Sequence, residues 1–245
     1  MHLSVSLLSG SRPADIALFG NGLGAYVVID ILRASTVLCT ALSNGARAII
    51  PVVDHEEALN LKKASEDPGA LVCGERGGRK LPGFDLGNSP LEYTPEVVGG
   101  KNLIYSSTNG VVAIAGAPAG ADVVVAGLVN LSAAATYIAG LNRPTLIACS
   151  GKLSRFALED AVGAGALIAK LWEIDPNLEL VNDGALTAQT LWDHYKDDPA
   201  MAMWQCEHGR FLIDLGFGAD LSVCAAVDSV PVVPIMREGR LVPLT

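Results

Sequence analysis

Short apolar runs alternate along the chain with longer segments whose hydrophobic positions recur every three to four residues, the pattern of buried parallel strands covered by helices on both faces. Residues 26–29 predict a buried strand, and residues 34–43 a helix that Asn44-Gly45 stops. Residues 48–53 predict the next strand. Asp54 then opens a helix with Glu57 placed as in a capping box, where both side chains reach orphan amides of the first turn. Further strands are predicted over 70–73, 103–106, 123–126 and 145–149, with helices over 111–115, 131–139 and 158–172. Beyond Pro176, helical signals over 184–195 and 208–215 precede short strands over 222–227 and 231–236. With right-handed crossovers these elements make an α/β fold, a three-layer α/β/α sandwich on a mostly parallel or mixed sheet. No linker interrupts the pattern, so residues 1–245 read as a single domain whose two lobes would divide near 130–145. Residues 74–93 lack either period but are dense in Gly, Pro and charge, which predicts an ordered functional loop.

Composition narrows the function. Seventeen Lys and Arg against 26 Asp and Glu give a net charge of −9, with no basic run to neutralise a nucleic-acid backbone or an anionic membrane. Half the residues are apolar, yet no stretch reaches the roughly 20 uninterrupted residues that cross a bilayer. Residues 1–10 have no positive leader and too short an apolar part for a signal peptide, so a cytoplasmic location is expected. The five cysteines are scattered and never spaced as CxxC, the usage of reduced thiols without a zinc site.

In a parallel α/β sheet ligands bind beyond the carboxyl ends of the strands. Four junctions carry polar chemistry there: Asp30 to Arg33, Ser106 to Gly110, Gly127 to Asn130, and Ser150-Gly151 leading to Glu159-Asp160. Thr108-Asn109-Gly110 and Ser150-Gly151 offer hydroxyls and free amides for an oxyanion, although each is also ordinary turn chemistry. The long loop adds Glu75, Arg76, Asp85, Asn88 and Ser89, acids and arginine together, as a site for a hard cation and an anionic substrate requires.

Other templates fit poorly. Gly20 to Gly24 resembles a dinucleotide fingerprint but precedes its strand instead of following it. There is no P-loop, and the four histidines lack metal-ligand spacing; His208 beside Glu207 and Gly209 is the best candidate among them. Cys73 to Arg79 matches C-x5-R, the loop of thiolate phosphatases. Glu75 inside it would repel a phosphate dianion, so a buried thiol is the better reading of Cys73.

Val28-Ile29-Asp30-Ile31-Leu32-Arg33-Ala34-Ser35-Thr36, Gly74-Glu75-Arg76-Gly77-Gly78, Pro82 to Pro90 (PGFDLGNSP), Ser107-Thr108-Asn109-Gly110, Asn130-Leu131-Ser132-Ala133 and Leu158-Glu159-Asp160 strongly resemble the 2-phosphosulfolactate phosphatases of coenzyme M biosynthesis, the ComB family. Agreement beyond Gly165 is looser, through Asn182-Asp183, His208, Gly216, Asp220 and Asp228. Val111 stands where the family usually has Thr, and Ser150-Gly151-Lys152 replaces its commoner turn. The resemblance implies an Mg²⁺-dependent phosphatase acting on 2-phospho-3-sulfolactate. On this reading Asp30, Arg33, Glu75 and Asp160 are the expected catalytic set, with Asp30, Glu75 and Asp160 on the metal. Arg33 and Arg76 are expected on the phosphate or sulfonate, and Asn88, Ser89, Thr108, Asn109, Gly110 and Asn130 around the substrate. Asp30 as an aspartyl nucleophile stays open, although Leu32 and Ala34 break the DxDxT pattern of such enzymes. Two rivals stand beside this reading: a phosphatase for another small phosphorylated acid, and a non-catalytic binder of anionic metabolites. The small-residue helices permit a homodimer.

Overall fold

The computed structural model of the protein describes residues 1–8 and 12–244. Ser9 and Gly10, the end of the segment read above as too short for a leader, lie outside the described residues. The chain opens with β1 (His2–Ser6), α1 (Arg12–Ala17), β2 (Ala25–Ile29), α2 (Ala34–Ser43), β3 (Ala48–Pro51) and α3 (His55–Ala64). It continues through β4 (Leu71–Arg76), β5 (Arg79–Lys80), α4 (Pro95–Val98), β6 (Asn102–Ser106), α5 (Gly110–Ala115), β7 (Asp122–Ala126), α6 (Leu131–Leu141) and β8 (Thr145–Cys149). After α7 (Leu158–Ile174) come β9 (Glu179–Leu180), α8 (Asp183–Tyr195), α9 (Pro199–Gln205), α10 (Glu207–Asp214), α11 (Gly218–Ala225), β10 (Pro234–Arg237) and β11 (Arg240–Pro243).

Side chains alternate across a strand, so each central strand feeds two cores. Val27 and Ile29 of β2 join a core under α6, α7 and α8, while Tyr26 and Val28 join one under α2 and α5. A smaller cluster of Val52, Ala58, Val72, Phe84 and Ile104 seals α3 against the sheet. The result is the expected three-layer α/β/α sandwich on a mixed sheet. Packing between α7 and α8 is close enough that a Cβ on Gly165 would lie 2.0 Å from the Ala188 carbonyl oxygen, so only glycine fits there.

The sheet runs β5-β4-β6-β3-β11-β10-β7-β2-β8-β1-β9. Strands β7, β2, β8, β1 and β9 are mutually parallel, as are β3, β6 and β4. The antiparallel β10–β11 hairpin joins the two groups and makes them run in opposite directions. The carboxyl ends of β2 and β8 from one group and of β4 and β6 from the other contribute residues to one cavity.

Several expectations change. Residues 222–227, expected as a short strand, lie mostly in α11, where Leu221 and Cys224 are fully buried. The loop over 74–93 is partly regular: β4 extends to Arg76 and pairs with β5. Asp54 caps α3, its Oδ1 accepting the amides of Glu56 and Glu57 at 2.7 and 3.0 Å. All five cysteines are free and buried. Among the described residues no helix is long and apolar enough to cross a membrane.

Candidate active site

A cavity of about 250 Å³ opens where the two groups of strands converge. Asp30 enters it from the end of β2, Glu75 from β4, and Ser107, Thr108 and Asn109 from the β6–α5 loop. Lys152 and Arg155 come from the β8–α7 loop, and His208 and Phe211 from α10.

Asp30 is only 6% exposed, and its Oδ1 accepts the Ala34 amide at 3.3 Å. Burial raises its carboxyl to about 6, while charge on His208 and the Ala34 amide pull it back and Glu75 and Glu159 push it further up. Behind it lies Gly110, where a Cβ would stand 2.6 Å from the Ala34 Cβ and 2.8 Å from the Asp30 Oδ2. Gly110 therefore gives Asp30 its place. Gly110→Ala should displace the carboxylate and overpack the α2–α5 contact, costing about 1–3 kcal/mol of stability and about tenfold in turnover. Denaturant unfolding and initial rates check this; a variant with unchanged values in both would sink the assignment.

The other two acids expected on a metal are committed differently. Glu75 accepts the Thr108 amide on Oε1 and the Gly78 amide on Oε2, each at 2.8 Å, and so ties the β6–α5 loop to the β4–β5 turn. Asp160 accepts the amides of Ile31 and Gly151, each at 2.9 Å, fastening the end of β2 to the loop after β8. Burial, with Asp30 and Glu159 nearby, pushes Asp160 up, and those amides pull it down. Asp160 does not line the cavity. The expected trio is thus not a preformed cage: among the described residues no three His, Cys, Asp or Glu side chains are grouped to hold a metal.

The arginines also differ from expectation. Arg33 borders the cavity, but its Nη1 donates to Asp220 at 2.7 Å and its Nη2 to the Gly78 carbonyl at 2.8 Å, with the guanidinium over the Phe217 ring. Arg76 turns away, donating to the carbonyls of Glu75 and Val53 and to the Ser106 hydroxyl. Besides Arg33, the wall carries Lys152 and Arg155, both paired with the exposed Glu207 at the rim. Asn88 faces the cavity while its Oδ1 accepts the Tyr105 hydroxyl. Ser89 and Asn130 do not line the cavity: Ser89 donates to the buried Asp220 at 2.6 Å, and Asn130 accepts the Gly127 amide while donating to the carbonyls of Val125 and of the distant Val232.

His208 sits at the wall with Nδ1 3.1 Å from the Glu159 carboxylate, which is 2% exposed. Its place beside Glu207 and Gly209 and its part in the family resemblance singled it out; nothing in the spacing foretold Glu159 as its partner. Lys152 and Arg155, in a short polar loop, carried no signal of their own. Cys73 lies outside the cavity wall with no exposed surface, its thiol pushed up to about 12 chiefly by burial.

The model of a family described as 2-phosphosulpholactate phosphatase matches residues 15–239. A protein of Caldanaerobacter subterraneus subsp. tengcongensis named "Probable 2-phosphosulfolactate phosphatase" is 39% identical over 213 residues, 87% of this chain and 88% of its own. Proteins of the same name from Carboxydothermus hydrogenoformans and Synechococcus sp. are 42% and 41% identical over 220 and 227 residues. Those alignments cover 89% of this chain and 89% of the Carboxydothermus protein, and 90% of this chain and 92% of the Synechococcus protein.

Proposed function

The chain belongs to the 2-phosphosulpholactate phosphatase family, and from that membership and the chemistry of its cavity we propose that it hydrolyses 2-phospho-3-sulfolactate to 3-sulfolactate and phosphate with Mg²⁺. This is the kind of step that coenzyme M biosynthesis uses. The observation that carries the reading is the meeting of two buried carboxylates, Asp30 and Glu75, with Lys152, Arg155 and His208 around one small cavity. A volume near 250 Å³ is below the roughly 300–1,000 Å³ of sites for drug-sized ligands and favours a compact polyanion.

The donor set fits Mg²⁺, which takes one or two carboxylates and completes its shell with water and phosphate oxygens. Asp30 and Glu75 would hold it, with Asp160 fastening the backbone just after Asp30 to the β8–α7 loop. When bound, the ion supplies positive charge against the non-bridging phosphate oxygens.

Lys152 and Arg155 bring the anion to the mouth. Glu159 holds Nδ1 of His208, which leaves Nε2 to take a proton from the attacking water. Water oxygen bonds to phosphorus as the ester P–O bond breaks, and the proton passes to the leaving oxygen. Arg33, locked on Asp220 and Gly78, positions the turn that Glu75 also grips.

A substrate panel tests the function. Phosphate release from 2-phospho-3-sulfolactate should exceed that from phospholactate and phosphoglycerate by at least about tenfold in kcat/KM. Equal rates on all three would move the protein to a broader phosphatase, and no release from any would leave only a binder.

A further inference from the structure

Among the described residues two arginines are buried, and only one has a counter-ion. Arg33 pairs with Asp220, whereas Arg12, 6% exposed, has no carboxylate within 4.0 Å among the described residues. The guanidinium of Arg12 lies against the Tyr26 phenol, its Nη2 donates to the carbonyls of Cys149 and Ser150 at 3.3 and 3.4 Å, and its Nε has no partner among the described residues. A buried cation without an anion is costly and is retained where a ligand supplies the missing charge. Two further buried donors beside it are also unpartnered, the hydroxyls of Thr108 and Ser150. All three residues line a second cavity of about 240 Å³, which shares Thr108, Asn109 and Leu153 with the catalytic one.

We propose that this second cavity is an oxyanion subsite that takes the sulfonate end of the substrate while the phosphate lies against Asp30. The assignment rests on the phosphatase reading above and names the part of the substrate that reading left unplaced. A guanidinium N–H and two hydroxyls offer three donors to the three oxygens of a sulfonate, a group that stays ionised at any working pH. The shared wall through Thr108 and Asn109 lets one short molecule occupy both cavities. Arg12 precedes residue 15, where the family match begins, so the subsite is built partly from a residue outside that match.

Binding, which needs no turnover, provides the test. Calorimetric titration of the full chain should show 3-sulfolactate bound at least about tenfold more tightly than lactate, which lacks the sulfonate. Arg12→Gln should reduce that preference to within about twofold, and Ser150→Ala, which removes a hydroxyl with no partner to lose in the free protein, should reduce it about threefold. Circular dichroism reports whether Arg12→Gln folds; if it does not, Ser150→Ala decides. An undiminished preference in the folded variants, or none in the unaltered protein, overturns the subsite. Inorganic sulfate that binds as tightly as sulfolactate and is lost in the same variants would assign the cavity to a free oxyanion and overturn the substrate assignment. Phosphate release from 2-phospho-3-sulfolactate is measured on the same preparation: its absence sinks the phosphatase reading, whereas release with an unaltered preference in the variants sinks the subsite alone.

Discussion

Chelation of divalent cations should stop phosphate release, added Mg²⁺ should restore it, and Asp30→Asn should lose at least about a hundredfold at saturating Mg²⁺. Loss of one directed electrostatic contact at the transition state costs roughly 3 kcal/mol, the equivalent of that factor. Asn keeps the acceptor for the Ala34 amide, so the loss reports charge and not a collapsed loop. The same substitution should raise the stability of the metal-free protein at pH 8. In the fold the Asp30 carboxyl is raised from 3.8 to about 6, so its ionisation opposes folding. The penalty is absent below the lower value, grows between the two, and is fully present above pH 6, at about 3 kcal/mol. Asn carries no such penalty. Unfolding midpoints at pH 4 and pH 8 should therefore separate the proteins only at the higher pH, and at limiting Mg²⁺ activity should fall as the pH drops through 6. Full turnover in excess chelator, or near-normal turnover in folded Asp30→Asn, would reduce Asp30 to a structural group.

Glu75→Gln should lose about a hundredfold or more, while Cys73→Ser keeps most of its activity. Both Glu75 oxygens accept backbone amides, and Gln offers only one acceptor. Either the Thr108 or the Gly78 amide must then face an NH₂ group, which costs about 1–3 kcal/mol in placement of the two loops. Negative charge beside the proposed cation is lost as well. Cys73 does no chemistry in this account: its thiol is fully buried, held protonated, and away from the cavity. Steady-state phosphate release at saturating Mg²⁺, with circular dichroism on both variants, decides the matter. An inactive Cys73→Ser beside an active Glu75→Gln would transfer the protein to the covalent cysteine phosphatases.

Strands β2, β6, β7 and β8 were legible from the sequence because burial on both faces leaves an apolar run inside each, over 25–29, 103–105, 123–126 and 146–149. α11 was not, because its period is short and its burial depends on Asp220 meeting Arg33, residues 187 positions apart. The site shows the same division. Sequence order brings Glu75 and Arg76 together, but side chains alternate across a strand, so Glu75 faces the cavity and Arg76 reaches Val53 and Ser106. Glu159 and Asp160 are likewise neighbours on α7, yet one meets His208 and the other the backbone behind Asp30. Spacing announced which segments meet; the oxygens each side chain must satisfy decided which residues face the substrate.

Strands β10 and β11 lie in the middle of the sheet but follow every other strand along the chain. Each of their outer joints is a single bridge, Ile235 to Val124 on one side and Leu241 to Ile49 on the other. During synthesis the groups carrying Asp30 and Glu75 can each pair internally and share the packing of α2 and α5, but they cannot join into one continuous sheet until residues 234–243 have left the ribosome. Until then β7 and β3 present open edges, the kind of surface that recruits other chains. A nascent chain thus carries two half-sites and two adhesive edges, and the last hairpin closes both edges as it joins the sheet.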